Sequence, residues 1–137
     1  MRAYVLVHSA LSGIQKGIQA GHALLRLGRY KHPLFSEWIQ KHETMIVLEG
    51  GFHADLGDAA SALSGALGGE FDSPRLPWML FEEDEETMAK MTTALAVIVP
   101  ERIYDAEPDS NDHDWYPSLE NWEAVVARLM AGRPLAR

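Results

Sequence analysis

The chain has 137 residues, a mass of 15.3 kDa and a formal charge of −8 at pH 7. That is one domain's worth, large enough to bury a core unaided; the sequence holds no cysteine, which excludes disulfides, thiolate nucleophiles and cysteine-ligated zinc. No apolar run approaches the roughly 20 residues of a membrane span and the N-terminal stretch lacks a signal-peptide pattern, so a soluble cytoplasmic protein is expected.

Ala3 to His8 reads as a buried strand, with Tyr4, Val5, Leu6 and Val7 in an unbroken apolar run. Ser12 and Gln15 have the S-x-x-Q spacing of a capping box, which opens a helix. Ile14, Ile18, Gly21 and Leu25 recur at helical spacing, which predicts that this side packs on a sheet, and Gly28 marks the end. Pro33 starts a second, shorter helix with Leu34, Phe35, Trp38 and Ile39 on one side. Thr44 to Leu48 is a second strand. Asp55 is positioned to cap a helix carrying Leu56, Ala59, Ala60, Leu63 and Leu67, closed by Gly68 and Gly69. Trp78 to Phe81 and Ala94 to Val99 read as the third and fourth strands, the latter stopped by Pro100, with the acidic run 82–86 between them.

This order predicts an α/β fold, a three-layer α/β/α sandwich with a small four-stranded mixed sheet. The first three strands run parallel and the fourth, after a short link, runs against the third. Residues 1–104 make the main domain. Residues 105–137 form an acidic linker and a C-terminal helix over 118–131, with Leu119, Trp122, Val126, Leu129 and Met130 on one side. That helix must dock, on this chain's body or on a second copy, so a homodimer stays open.

The charge is unevenly spread. Residues 1–42 hold Arg2, Lys16, Arg26, Arg29, Lys31 and Lys41 against one acid, Glu37, whereas residues 43–137 hold six bases and nineteen acids. One face that tolerates phosphates and another that repels them would follow; a dipolar surface that only aids solubility is the alternative. Within the first helix Gln15, Gln19, His22, Arg26 and Arg29 fall at i, i+4, i+7, i+11 and i+14, a single polar stripe at about 100° per residue. It starts at a helix N-terminus just past a strand's carboxyl end, where ligands bind in open α/β sheets and anions are attracted. Amides, an imidazole and two guanidiniums suit a nucleic-acid backbone or terminus; an ordinary solvated face has the same spacing.

The segment Ser12-Gly13-Ile14-Gln15-Lys16-Gly17-Ile18-Gln19-Ala20-Gly21-His22-Ala23 resembles the first-helix signature of the type 2 peptidyl-tRNA hydrolases. It is most similar to a branch often found in bacteriophage genomes, where the signature reads approximately G-Q-Q-A-V-Q-A-x-H-A. The resemblance spans residues 3–100 in outline: a strand before the motif, Trp38 ahead of the second strand, a strand leading into an acidic position, and a final strand ending at Pro100. It implies an α/β/α fold, hydrolysis of the ester joining a peptide to the 3′-terminal ribose of tRNA, tRNA as partner, and neither a cofactor nor a metal. In cellular members a lysine opens the helix motif; here it falls on Gln15, with Lys16 beside it. The family's D-A-G-R-T-Q segment falls on residues 82–87, so its aspartate becomes Glu82 and its threonine Glu86. The exchange adds negative charge beside a site meant for phosphates.

The catalytic residues expected on this basis are Lys16, His22 and Glu82. Glu82, or Asp84, would be the general base or orient a water, and Lys16 or His22 would stabilise the oxyanion or protonate the ribose oxygen. Gln15, Gln19, Arg26 and Asp84 would bind substrate. A non-enzymatic adaptor of the same fold, binding a host protein or a nucleic-acid end, is the alternative function. An incomplete calcium-loop spacing at Asp109, Asn111, His113 and Glu120 has Asp114 where glycine is required.

Overall fold

The apolar run that begins the chain forms β1 (Arg2–Val7), whose last five residues are all buried. The structure, a computed structural model, describes residues 1–83 and 91–137. After β1 come α1 (Gly13–Gly28), α2 (Pro33–Lys41), β2 (Met45–Glu49), α3 (His53–Leu67), β3 (Trp78–Glu82), β4 (Thr92–Val99), the short α4 (Glu101–Tyr104) and α5 (Asn121–Met130). The sheet order is β2-β1-β4-β3. β1 and β2 pair in parallel, and β4 lies antiparallel to both β1 and β3. β1, β2 and β3 therefore run one way and β4 the other. The result is a three-layer α/β/α sandwich with a mixed sheet and a C-terminal helix.

Strand alternation divides the core in two. Val5, Val7, Met79, Phe81, Ala94, Ala96 and Ile98 face α1 and α2. Leu6, Leu48, Trp78, Leu95, Val97 and Val99 face α3 and α5. β4 is buried along its whole length because it is central and covered on both faces.

The expected capping box of α1 is present: Gln15 N donates to Ser12 Oγ, and Ser12 N donates to Gln15 Oε1 at 3.1 Å. The face that α1 buries differs from the expectation. Ile14, Ile18 and Leu25 are 80%, 49% and 75% exposed, while Lys16, Gln19, Ala20, Ala23, Leu24 and Leu27 are buried. The small alanines let the helix lie close to the sheet, and the two polar residues find partners there. α3 starts at His53 rather than at Asp55; the Asp55 carboxylate, one turn in, accepts from Phe52 N at 2.8 Å. It ends on Gly68, at φ 89°, where a side chain would be strained.

Residues 105–137 share the core of the rest. α5, shorter than the sequence suggests, packs on α3, and Val126 is fully buried. The chain then passes β2: Glu49 N donates to Pro134 O at 3.0 Å and Ala136 N to Val47 O at 2.9 Å. This pairing covers what would be an open sheet edge.

Candidate functional site

Phe81 and Glu83, two residues apart at the end of β3, lie on the face towards α1. A register shift interrupts the β3–β4 ladder there: Phe81 pairs with Ala94, but Glu82 pairs with Thr92. Thr93 is the extra residue. Plain alternation would send it to the α3 face with Leu95 and Val97; the bulge instead turns its hydroxyl to α1. Thr93 Oγ1 donates to Gln19 Oε1 at 2.7 Å, and Gln19 Nε2 donates to Glu83 Oε2 at 3.1 Å. The same carboxylate oxygen lies 3.5 Å from His22 Nδ1.

Gln19 and Thr93 are almost fully buried, Glu83 is nearly so, and the His22 side chain is 45% exposed. A buried amide and hydroxyl thus fix a carboxylate, which meets an imidazole open to water. His22 also packs edge-to-face on Phe81, with ring centroids 5.8 Å apart. The Arg26 guanidinium lies over the Phe81 ring, 4.7 Å from its centroid. His22, Leu25, Arg26, Arg29, Phe81 and Glu83 line a shallow open pocket of about 230 Å³. A carboxylate beside Nδ1 orients a histidine ring and favours the tautomer protonated at that nitrogen. Two guanidiniums beside it suit an anionic substrate.

The expected site residues are only partly brought together. His22 and Arg26 line this pocket, and Gln19, buried behind it, reaches it through Glu83. Glu82 does not: it is exposed, and alternation turns it to the opposite face from Phe81 and Glu83. Asp84 lies outside the described residues. Gln15 is occupied by the capping box. Lys16 points elsewhere, into an ion pair with Glu49 Oε1 at 2.7 Å and a bond to Arg137 O at 3.2 Å. Ser9 Oγ donates to the other Glu49 oxygen at 2.7 Å. Lys16 above all, and Ser9 and the Arg137 amide, hold the Glu49 carboxyl below its ordinary range against the opposing effect of burial. At the end of β1, burial pushes the neutral form of His8 into preference, lowering its pKa, with His53 adding to the effect.

Glu83 and Thr93 are the two members that sequence reasoning missed. The parity of β3 carried a signal for Glu83, since Phe81 was legible as core. The bulge that re-aims Thr93 left none. Among the described residues no group of three His, Asp or Glu side chains is placed to hold a metal ion, and no helix is long and apolar enough to cross a membrane.

The chain matches no family model, and no curated protein matches it in sequence.

Proposed function

We propose that the chain hydrolyses the ester joining a peptide to the 3′-terminal ribose of tRNA, or a closely related aminoacyl or peptidyl ester, in the cytoplasm. The resemblance of the first helix to the phage-borne type 2 peptidyl-tRNA hydrolases belongs to this reading. The observation that carries it is the buried chain from Thr93 through Gln19 to Glu83, ending at a solvent-accessible His22. His22 Nε2 takes a proton from water as the water oxygen adds to the acyl carbon. The acyl–ribose C–O bond then breaks, and the proton passes to the ribose oxygen as it leaves. Glu83 stays ionised and steadies the imidazolium, while Arg26 and Arg29 receive phosphates. Lys16 and Glu82 have no direct part, because neither reaches the pocket. The test is release of the blocked amino acid from N-acetyl-aminoacyl-tRNA by the purified chain, beside His22→Ala. No release above the spontaneous rate would remove the reading.

The exposed side of α1 favours a second role, as an interaction surface, with or without catalysis. Ile14, Ile18 and Leu25 lie in one stripe interrupted by Gly17 and Gly21, where a Cβ would meet nothing. Leu25 continues into an apolar groove lined by Leu24, Gly28, Phe35, Trp38 and Ile39. The occupant proposed is a second copy. Ile14, Ile18, Leu25 and Ile39 leave roughly 400 Å² of apolar surface in water, most of the apolar share of an interface burying about 800 Å² per partner. The face carries both a ridge and a groove, as a two-fold contact requires.

A further inference from the structure

We infer that the stacked rings of Tyr30 and Phe71 form a base-stacking platform for a single-stranded nucleic-acid end, upstream of the His22–Glu83 pocket; the inference rests on the hydrolase reading for which end is bound. The two rings lie nearly parallel, 18° apart with centroids 3.8 Å from each other. Tyr30 is nonetheless 54% exposed, so a flat aromatic surface backed by a second ring is presented to water. The backbone around it is unusual. Phe71 has φ 68° and Lys31, next to Tyr30, has φ 51°. A bulky aromatic residue in the left-handed region is strained, and strain of this kind persists where surrounding contacts over-determine it. Here the contacts are the stack itself and the bond from Phe71 N to Trp78 O at 2.9 Å.

That bond fixes the platform to the beginning of β3, the edge strand whose far end leads to Glu83. α1 runs beside the same strand and presents His22 and then Arg26 over Phe81; Arg29, its C-cap, and Tyr30 follow in the turn after the helix. His22 lies six residues, or about 9 Å at 1.5 Å per residue, before the end of α1 at Gly28, and Tyr30 follows two residues further on. Roughly three stacked nucleotides at about 3.4 Å each span that helical length. Guanidiniums for the phosphates and a ring for a base face are the two components of sequence-tolerant single-strand binding. Of the two acids flanking Phe71, Glu70 accepts a bond from Leu80 N at 3.1 Å, and Asp72 is exposed to water. An ester at the pocket then places the 3′ ribose near His22 and the base a few nucleotides upstream on Tyr30.

The probe is a 5′-fluorescein tetranucleotide RNA, ACCA with a free 3′ hydroxyl, followed by anisotropy at about 50 mM salt, where phosphate contacts are strong. The full chain is expected to bind it. Tyr30→Leu, which keeps Phe71 covered but removes the flat ring, is expected to bind about tenfold more weakly, and Tyr30→Phe within twofold of the unaltered chain. Equal binding by Tyr30→Leu, or no binding by the unaltered chain, overturns the platform. N-acetyl-aminoacyl-tRNA separates the two readings. Hydrolysis with a KM untouched by Tyr30→Leu overturns the platform and leaves the hydrolase. Tyr30-dependent binding of ACCA without any hydrolysis overturns the hydrolase and leaves the platform.

Discussion

The Gln19 side-chain amide holds the Glu83 carboxylate at 3.1 Å, and the oxygen it holds is the one that faces His22. The acid beside the imidazole is therefore one residue beyond the position that the family resemblance implied. This offset separates two near-identical variants. Glu83→Gln is expected to lower kcat for N-acetyl-aminoacyl-tRNA by about 10²-fold, within the range attributed to positioned acid–base groups. Glu82→Gln, on an exposed side chain facing away, should leave kcat and KM within about twofold. The reverse order of effects would assign the carboxylate role to Glu82.

Thr93→Val tests the support beneath that carboxylate. The two side chains have nearly the same shape, but valine cannot donate to Gln19 Oε1, which is left buried and without its 2.7 Å partner. A loss of about 1–3 kcal/mol is expected from such an unsatisfied acceptor. In a domain of this size that corresponds to a fall in Tm of several degrees for each kcal/mol. The Gln19 amide would also be less firmly held, so kcat should fall severalfold more than the residual folded fraction explains. Thermal melts followed by kinetics at 25 °C separate the two effects.

The pairing of Lys16 with Glu49 makes stability depend on pH in a defined direction. Glu49 has its pKa lowered in the folded chain, so the unfolded chain binds a proton first as pH falls. The stability it contributes is complete above its ordinary value of 4.5 and is lost as pH drops through that value towards the folded one. His8, also lowered, acts in the same sense from about pH 6.5 downward, since the fold favours its neutral ring. Tm should thus begin to decline below about pH 6.5 and fall further below pH 4.5. Lys16→Met removes the partner of a partly buried carboxylate and leaves it to Ser9 and the Arg137 amide, so it should cost about 1 kcal/mol at pH 7. The gap between Lys16→Met and the unaltered chain should narrow as Glu49 becomes protonated in both. A constant gap from pH 7 to pH 3.5 would contradict this account.

Apolar runs with clear ends were legible in the sequence. β1 and β4 declared themselves through continuous hydrophobic stretches, α1 through its Ser12–Gln15 box, and α2 through Pro33. The facing of α1 was not legible, because the helix has two stripes of equal regularity. The stripe with larger side chains, Ile14, Ile18 and Leu25, is the one left outside. What decides the matter is distant in sequence: Glu49 receives Lys16, and Glu83 and Thr93 receive Gln19. A polar residue can be a core residue when its partner is waiting, and composition of the helix alone does not contain the partner. The tail from Pro134 to Ala136 gave no strand signal either, since its order comes from the unpaired edge of β2.

The exposed stripe of α1 makes one more prediction, which concerns mass rather than chemistry. If two copies meet there, light scattering at tens of micromolar should report about twice the 15.3 kDa of the chain. Leu25→Glu places a charge in the middle of the proposed contact, facing its own symmetry mate or the groove beside Trp38. Burying that charge unpaired is costly, so this variant should run as a monomer. Its Tm at low concentration should be nearly unchanged, because a residue 75% exposed within the chain contributes little to the fold itself. Gly21→Leu offers an independent check. A Cβ there meets nothing within 4 Å, so the fold should tolerate a side chain, but leucine would hold two α1 helices apart. A dimer that survives both substitutions lies on another surface, and a monomer before either substitution leaves the stripe to a different partner.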